Sequence, residues 1–305
     1  MKELIKIDIK YFLYSKCFLS VCLGFIFCVL ASVGMSYQFS KSSLHSYEFT
    51  YNYMVDTGED VEAEKNKDYI INEDGVIQNP LAYDIEQSEH ALFYMNPKNG
   101  ITLFGETCTV LFPIFAFIVG ILLVSYDEKN KTKKLKATNY GKLKYGYSKQ
   151  VSGLIIITFL LIISFAVMIA VSSFAYSVLQ KNHDLSPFVI RTLDFKDYLL
   201  QIIFTFISAF LFFELGYFIC NIFHCYIFSV IAISLLSFFL PPLFKYDFTN
   251  VKNKIERQFF EFNGVVNLGK GFPISLSTAL IEAVVLLSVF AIINYIVDNK
   301  RSAYL

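Results

Sequence analysis

The sequence predicts an all-α polytopic membrane protein, with six transmembrane helices preceded by an N-terminal interfacial helix. Three observations carry that class. The chain of 305 residues has a mean hydropathy of +0.51 and is 55% hydrophobic. Only 17% of it is charged, against roughly 25% in soluble domains. The deficit falls in long runs: 17–40, 107–126 and 151–180 contain no charged residue, 198–244 is broken only by Glu214 and His224, and 271–297 only by Glu282. Such a distribution excludes a disordered chain, a coiled coil and a nucleic-acid-binding protein, and it argues against a soluble enzyme.

A spanning helix needs about 20 apolar residues at 1.5 Å each. As one helix the run 198–244 would reach roughly 70 Å, more than twice a bilayer core. It must therefore fold back, and the polar residues Asn221, His224 and Cys225 mark the turn. The expected spans are 17–37, 104–126, 151–178, 198–220, 226–243 and 273–297. The first is longer than the apolar core of a signal peptide and is read as retained.

The segments between the spans have their own character. Residues 1–16 place Lys2, Lys6 and Lys10 on one helical face and Ile5, Ile9, Phe12 and Leu13 on another, as expected for an amphipathic helix in the membrane interface. Residues 38–103 form an acidic loop or cap. Within it Tyr69, Ile70 and Ile71 face Val76 and Ile77 across Asn72–Gly75, a hairpin pattern, and Tyr83 to Met95 reads as an amphipathic helix. Residues 127–150 carry eight Lys around an Asn139, Tyr140, Gly141 turn, which suggests two short helical stretches. Residues 244–272 follow the span-breaking Pro241 and Pro242 and are unusually apolar at Phe259, Phe260, Phe262, Val265 and Val266, so part of this region is expected to re-enter the membrane.

Net charge is zero, from 26 basic and 26 acidic residues, but six spans sort those charges. Segments 1–16, 126–150, 221–225 and 298–305 hold 14 Lys/Arg and 5 Asp/Glu; segments 37–101, 179–196 and 244–272 hold 12 and 17. Basic residues in short loops near span ends set orientation. The Lys-rich 127–150 loop therefore places both termini in the cytoplasm and 38–103 outside. All six Cys lie in or beside spans, so no disulfide staples the outer segments. A bias of 23 Lys to 3 Arg suggests a bacterial, AT-rich source and hence a bacterial plasma membrane.

No catalytic, cofactor-binding or metal-ligating constellation is read. HExxH and GxSxG motifs are absent, and His45, His90, His183 and His224 are scattered. The run from Gly264 to Gly271 spells GxxxxGK but has Gly271 where a phosphate-binding loop needs Ser or Thr. Glu214 and Glu282 are the informative acids, because an ionised carboxylate inside a span is expensive. They are read as a pathway lining, a cation site or a helix-to-helix hydrogen bond.

This layout resembles the permease subunit of ABC-2 type transporters over nearly all 305 residues. After the second span that family shows an acid, Gly-Thr, leucines, a Pro, a Ser-Arg-like pair and a closing Lys. Here Asp127 or Glu128 matches the acid, Thr132 the threonine, Leu135 a leucine and Lys149 the closing lysine. Lys131 stands in place of the Gly, the Asn139–Tyr140 turn in place of the Pro, and Lys142 or Lys144 at the basic position. The resemblance implies an ABC-2 (type V exporter-like) fold and a coupling helix within 127–149. Asp127, Glu128, Thr132, Leu135, Lys142 and Lys149 would then face a separate ATP-binding subunit that holds the ATP and Mg. It further implies pairing with a second permease copy or a paralogue, contact with membrane lipids, and export of a peptide, lipid or drug-like substrate. Two alternatives stand beside it: a secondary carrier using Glu214 and Glu282, and a non-transporting sensor or immunity protein that presents the acidic cap.

Overall fold

The computed structural model describes residues 1–223, 231, 244–260 and 271–300. Its elements are α1 (Lys2–Leu13), α2 (Lys16–Thr57), α3 (Val61–Lys65), β1 (Ile70–Ile71), β2 (Ile77–Gln78), α4 (Pro80–Met95), α5 (Gly100–Lys129), α6 (Lys133–Tyr140), α7 (Lys142–Asn182), α8 (Phe195–Phe223), α9 (Phe248–Phe259) and α10 (Leu276–Lys300). Four of these, α2, α7, α8 and α10, are long and apolar enough to cross a membrane, and α5 carries a shorter apolar stretch. Their outward faces suit lipid and not water: α10 leaves Ile281, Val284, Val285 and Ile292 more than half exposed. The expected span 226–243 and its turn at His224 and Cys225 lie outside the described residues, apart from helical Ile231, as do Pro241, Pro242, Phe262, Val265 and Val266.

Two expected boundaries move. The helix that holds the first span does not end near residue 37: α2 continues to Thr57, a rod of about 63 Å that takes in the first part of the expected 38–103 loop. Nothing between Gly34 and Gly58 breaks a helix; Gly58, in the left-handed region at φ 76°, ends it. The 127–150 segment is likewise not a loop with two short helices. Only α6 is short. Gly141, at φ 86°, turns the chain, and α7 starts at once and runs 41 residues, well beyond the expected 151–178. By contrast, the expected hairpin forms, with Ile70 opposite Gln78 and Ile71 opposite Ile77. The helix expected from Tyr83 is α4. It starts earlier, at Pro80, because Asn79 caps it by accepting from the Ala82 N–H.

The chain divides into two compact units. One comprises Val29–Phe104 and Phe165–Tyr198. Its core is built from Leu44, Tyr47, Leu81, Leu92, Phe93 and Tyr94, and buried polar groups tie its segments together. Asp84 on α4 accepts from Ser46 and Thr50 on α2 at 3.2 and 2.6 Å. Fully buried Asn99 donates to the carbonyls of Phe93 and Arg191 and accepts from the Leu193 N–H. Most of this unit's acids stay at the surface, Glu59, Asp60 and Glu62 among them.

The other unit comprises Met1–Cys28, Gly105–Ser164 and Leu199–Leu305. In it α5 crosses α8 backbone to backbone, where Gly120 lies on the backbone of Phe213 to Tyr217 and Gly216 lies on the backbone of Phe117. A Cβ at either glycine would collide with main chain, which cannot swing aside. Small residues at such crossings let two helices approach closely in lipid, where dispersion and hydrogen bonds replace the hydrophobic drive. Gly216→Leu is expected to force α5 and α8 apart, at a cost of about 2 kcal/mol or more, read as a lowered thermal midpoint of the detergent-solubilised protein. An unchanged midpoint would show that the crossing is not close-packed.

Candidate functional site

Helix α1 is amphipathic in an unusual way. Glu3 in its first turn and Lys10 in its last complement the helix dipole. Lys2, Lys6 and Lys10 are exposed, as expected. Ile5 and Ile9 are half-buried and Leu13 is exposed, which leaves them accessible to a lipid surface. The buried stripe is instead Leu4, Asp8 and Phe12, one turn apart, and its centre is a carboxylate only 1% exposed.

Asp8 meets three other buried charges. Asp127 ends the buried part of α5 just beyond the apolar run, Lys136 projects from α6, and Lys149 comes from the second turn of α7. Lys136 Nζ lies 3.0 Å from Asp8 Oδ1 and 2.9 Å from Asp127 Oδ1. Lys149 Nζ lies 3.0 Å from Asp8 Oδ1 and 2.7 Å from Asp127 Oδ2. Each carboxylate thus faces both ammoniums, and the quartet is neutral overall.

Neutral groups complete it. Thr132 and Tyr145 hydroxyls donate to Asp127 at 2.7 and 2.9 Å, and Ser148 donates to Asp8 at 3.2 Å. The Lys136 ammonium sits 4.9 Å from the Tyr11 ring centre, and Tyr11 stacks on Tyr126 at 5.2 Å. Burial alone would push the Asp127 carboxyl up. Lys149, Lys136 and the Thr132 hydrogen bond outweigh it and hold it at about 2, below the ordinary 3.8. Burial likewise works against the Lys136 ammonium, and Asp8 and Asp127 override it, so its affinity for its proton is raised.

A second polar array lies between α8 and α10. Glu214 is 1% exposed, and the Asn294 amide donates to its Oε2 at 2.8 Å and to its carbonyl at 3.2 Å. Asp298, also buried, accepts from Tyr217 at 2.8 Å and from Asn221 at 3.0 Å. Of the readings open for Glu214, the structure therefore shows the helix-to-helix hydrogen bond. Glu282 is half-buried and twelve residues from Asn294 along α10, about 18 Å away on the helix axis. The two intramembrane acids do not share a site.

Of the residues expected to couple to a partner, Asp127, Thr132 and Lys149 come together in the quartet. Leu135 does not join them; it points outward from α6 and is 63% exposed. Lys142 is half-buried at the start of α7, and the Glu128 side chain lies outside the described residues. The sequence reading missed Asp8, Lys136, Tyr145 and Ser148. An acid at the centre of the Leu4, Asp8, Phe12 stripe was the available signal. Among the described residues no group of three or more His, Cys, Asp or Glu is placed to hold a metal ion.

The fold and this site define a polytopic helical membrane protein with an ion-paired anchor for its N-terminal helix. No family model, curated protein or solved structure matches the chain.

Removing one member of the quartet leaves an uncompensated buried charge, which typically costs about 3–5 kcal/mol. Asp8→Asn is expected to destabilise the protein by that order. Asp8→Asn combined with Lys136→Met restores neutrality and should lose less than the two single losses added. A double-mutant cycle on thermal unfolding in detergent measures this, and simple additivity would mean the pairs are independent.

Acid unfolding checks the same cluster. Asp127 binds its proton more weakly folded than unfolded, so its contribution, on the order of 2 kcal/mol, is complete above about pH 4 and lost as pH falls towards 2. Asp127→Asn should remove that pH dependence from the stability profile.

Proposed function

We propose that this chain is the membrane-spanning permease subunit of an ABC transporter, which exports a peptide, lipid or drug-like substrate with ATP hydrolysed by a separate subunit. The observation that carries this reading is the quartet. It binds the N-terminal helix, the end of α5, α6 and the start of α7 into one body. A displacement of α6 therefore cannot stay local, because α1, α5 and α7 share its two carboxylates.

The charges inside the quartet cancel, so the outer surface of this body is what a partner meets. That surface exposes Leu135, Leu143 and Tyr147 among the exposed Lys131, Lys134 and Lys144. Apolar anchors within a basic field suit a soluble subunit with an acidic, apolar-centred groove. In this reading α6 and the first turns of α7 are the coupling element, and nucleotide-driven motion of the partner reorients the spans through it. Six spans, an ABC-2 (type V exporter-like) fold, cytoplasmic termini, a bacterial plasma membrane and pairing with a second copy or a paralogue belong to the same proposal.

The carrier alternative is disfavoured by the separation of Glu214 from Glu282 and by the engagement of Glu214 with Asn294. The sensor alternative rests on the acidic cap, whose exposed acids are adequately explained as a solvated surface.

The test is affinity purification of the full-length chain in mild detergent, with ATPase activity and co-purified proteins measured. An ATP-binding subunit should be recovered in stoichiometric amount, and Leu135→Asp, at an exposed position that leaves the fold intact, should reduce its recovery at least tenfold. Recovery of the ATPase complex from a chain lacking residues 130–140 would refute the coupling role. Gradient-driven uptake by this chain alone in liposomes would replace the proposal with the carrier.

A further inference from the structure

Helix α4 lies along the later turns of α2 in antiparallel register. Ser40 donates to the Ala91 carbonyl at 3.1 Å, and further along α2 Ser46 and Thr50 reach Asp84 at 3.2 and 2.6 Å. Residues 40, 43, 46 and 50 share one face of α2, and residues 84, 88 and 91 share one face of α4, at spacings of three and four. Buried Ser43 and Ser88 fall between the two sets of contacts. All of these residues belong to one compact unit. Ser46 is about 45 Å along α2 from Lys16, farther than the roughly 30 Å that a hydrocarbon core occupies.

Asp84 is the first anomaly. It is 7% exposed, and among the described residues no lysine, arginine or histidine pairs with it. Basic groups of the same unit are paired elsewhere, Lys65 with Glu62, Lys67 with Glu64 and His183 with Glu48. A carboxylate offers about four acceptor positions, and the two hydroxyls fill two of them. The charge itself is left buried without compensation, which is costly.

Ser88 is the second. A serine inside a helix commonly turns its hydroxyl back to the carbonyl four residues earlier, as Ser164 and Ser172 do at 2.8 and 2.7 Å. For Ser88 that carbonyl belongs to Asp84, and the bond is not made. Ser88 is fully buried, and its Oγ has no hydrogen-bond partner. It stands one helical turn from the Asp84 side chain.

We infer that Asp84 and these hydroxyls bind a single sodium ion between α2 and α4. Hard cations take oxygen ligands. One carboxylate cancels one positive charge, which selects a monovalent ion over a divalent one. Ser46 and Thr50 give their protons to Asp84 and keep lone pairs for the ion, and Ser88 contributes an oxygen that nothing else engages. Ser46 is exposed, so the ion enters from water. Once bound, it fastens α4 to α2. Neither the site nor its test depends on the ATP-coupled reading.

The experiment is a thermal-shift titration of the full-length protein in detergent. Sodium chloride replaces choline chloride at constant ionic strength, and calcium chloride is titrated separately. Sodium is expected to raise the midpoint saturably. Asp84→Asn should abolish that rise, and Glu59→Gln, which alters an exposed acid outside the cluster, should keep it. Ser88→Ala separates an ion site from a plain helix contact. It deletes a hydroxyl that bonds nothing, so the midpoint in choline should hold while the apparent affinity for sodium falls at least tenfold. Thr50→Val should weaken sodium binding similarly and carries the comparison if Asp84→Asn does not fold. No saturable response to sodium, the same response in the wild type and the cluster variants, or saturation by calcium at a lower concentration than sodium overturns the site.

Discussion

Two carboxylates shared by two ammoniums, all out of water, are the constraint on which the packing of α1 against α5, α6 and α7 is organised. Taking any one of these ions out of water alone is prohibitive, and mutual attraction repays the penalty only with good geometry and satisfied lone pairs. Here Asp8 and Asp127 each contact both lysines, and Thr132, Tyr145 and Ser148 supply the remaining donors. The arrangement requires four helical segments at once. An apolar core of similar size would tolerate sliding; this cluster permits one register of α1 against α5, α6 and α7.

From that fixed end, α7 leads directly to the second polar array. Tyr145, Ser148 and Lys149 turn towards the quartet, while Gly146, between them, lies against the Asp298 side chain of α10. Asp298 holds Tyr217 and Asn221 of α8, one face of which crosses α5 at Gly216. Charge pairing, a glycine contact and hydrogen bonds thus form one continuous set of contacts from α6 into the apolar helices. Such continuity is the physical requirement for a push at α6 to reach the spans.

Much of the helical framework was legible because uncharged runs and breaker residues are local signals. The hairpin at Ile70 to Gln78 followed from the Asn72–Gly75 turn between short apolar runs, and α4 from its amphipathic pattern after Tyr83, while its start at Asn79 and Pro80 was not read. The overrun of α2 to Thr57 was not read, since the polarity of residues 38–57 suggested a loop; polarity reports solvent, whereas the absence of Gly and Pro reports backbone. The site was half legible. Asp127, Thr132 and Lys149 stood out only because their order resembles a family pattern. Lys136 was one of eight lysines in its segment, and no local pattern distinguishes the one that turns inward. Asp8 lies 128 residues from Lys136 and 140 from Ser148, and a single sequence contains no signal that spans such distances. Glu214 and Glu282 looked equivalent as lone acids in apolar runs; only the geometry of Asn294 separates them.

The order of Asp8 and its counter-ions along the chain has a consequence for how the molecule comes to be made. Domains generally form in the order of synthesis, N-terminal first. Asp8 inverts that order, because its last counter-ion, Lys149, leaves the ribosome 141 residues after it. Until then α1 holds a carboxylate that lacks its full set of counter-ions. An element translated ahead of its partners is therefore locked in place only after them, and its docking records that the segments through the start of α7 have been correctly threaded.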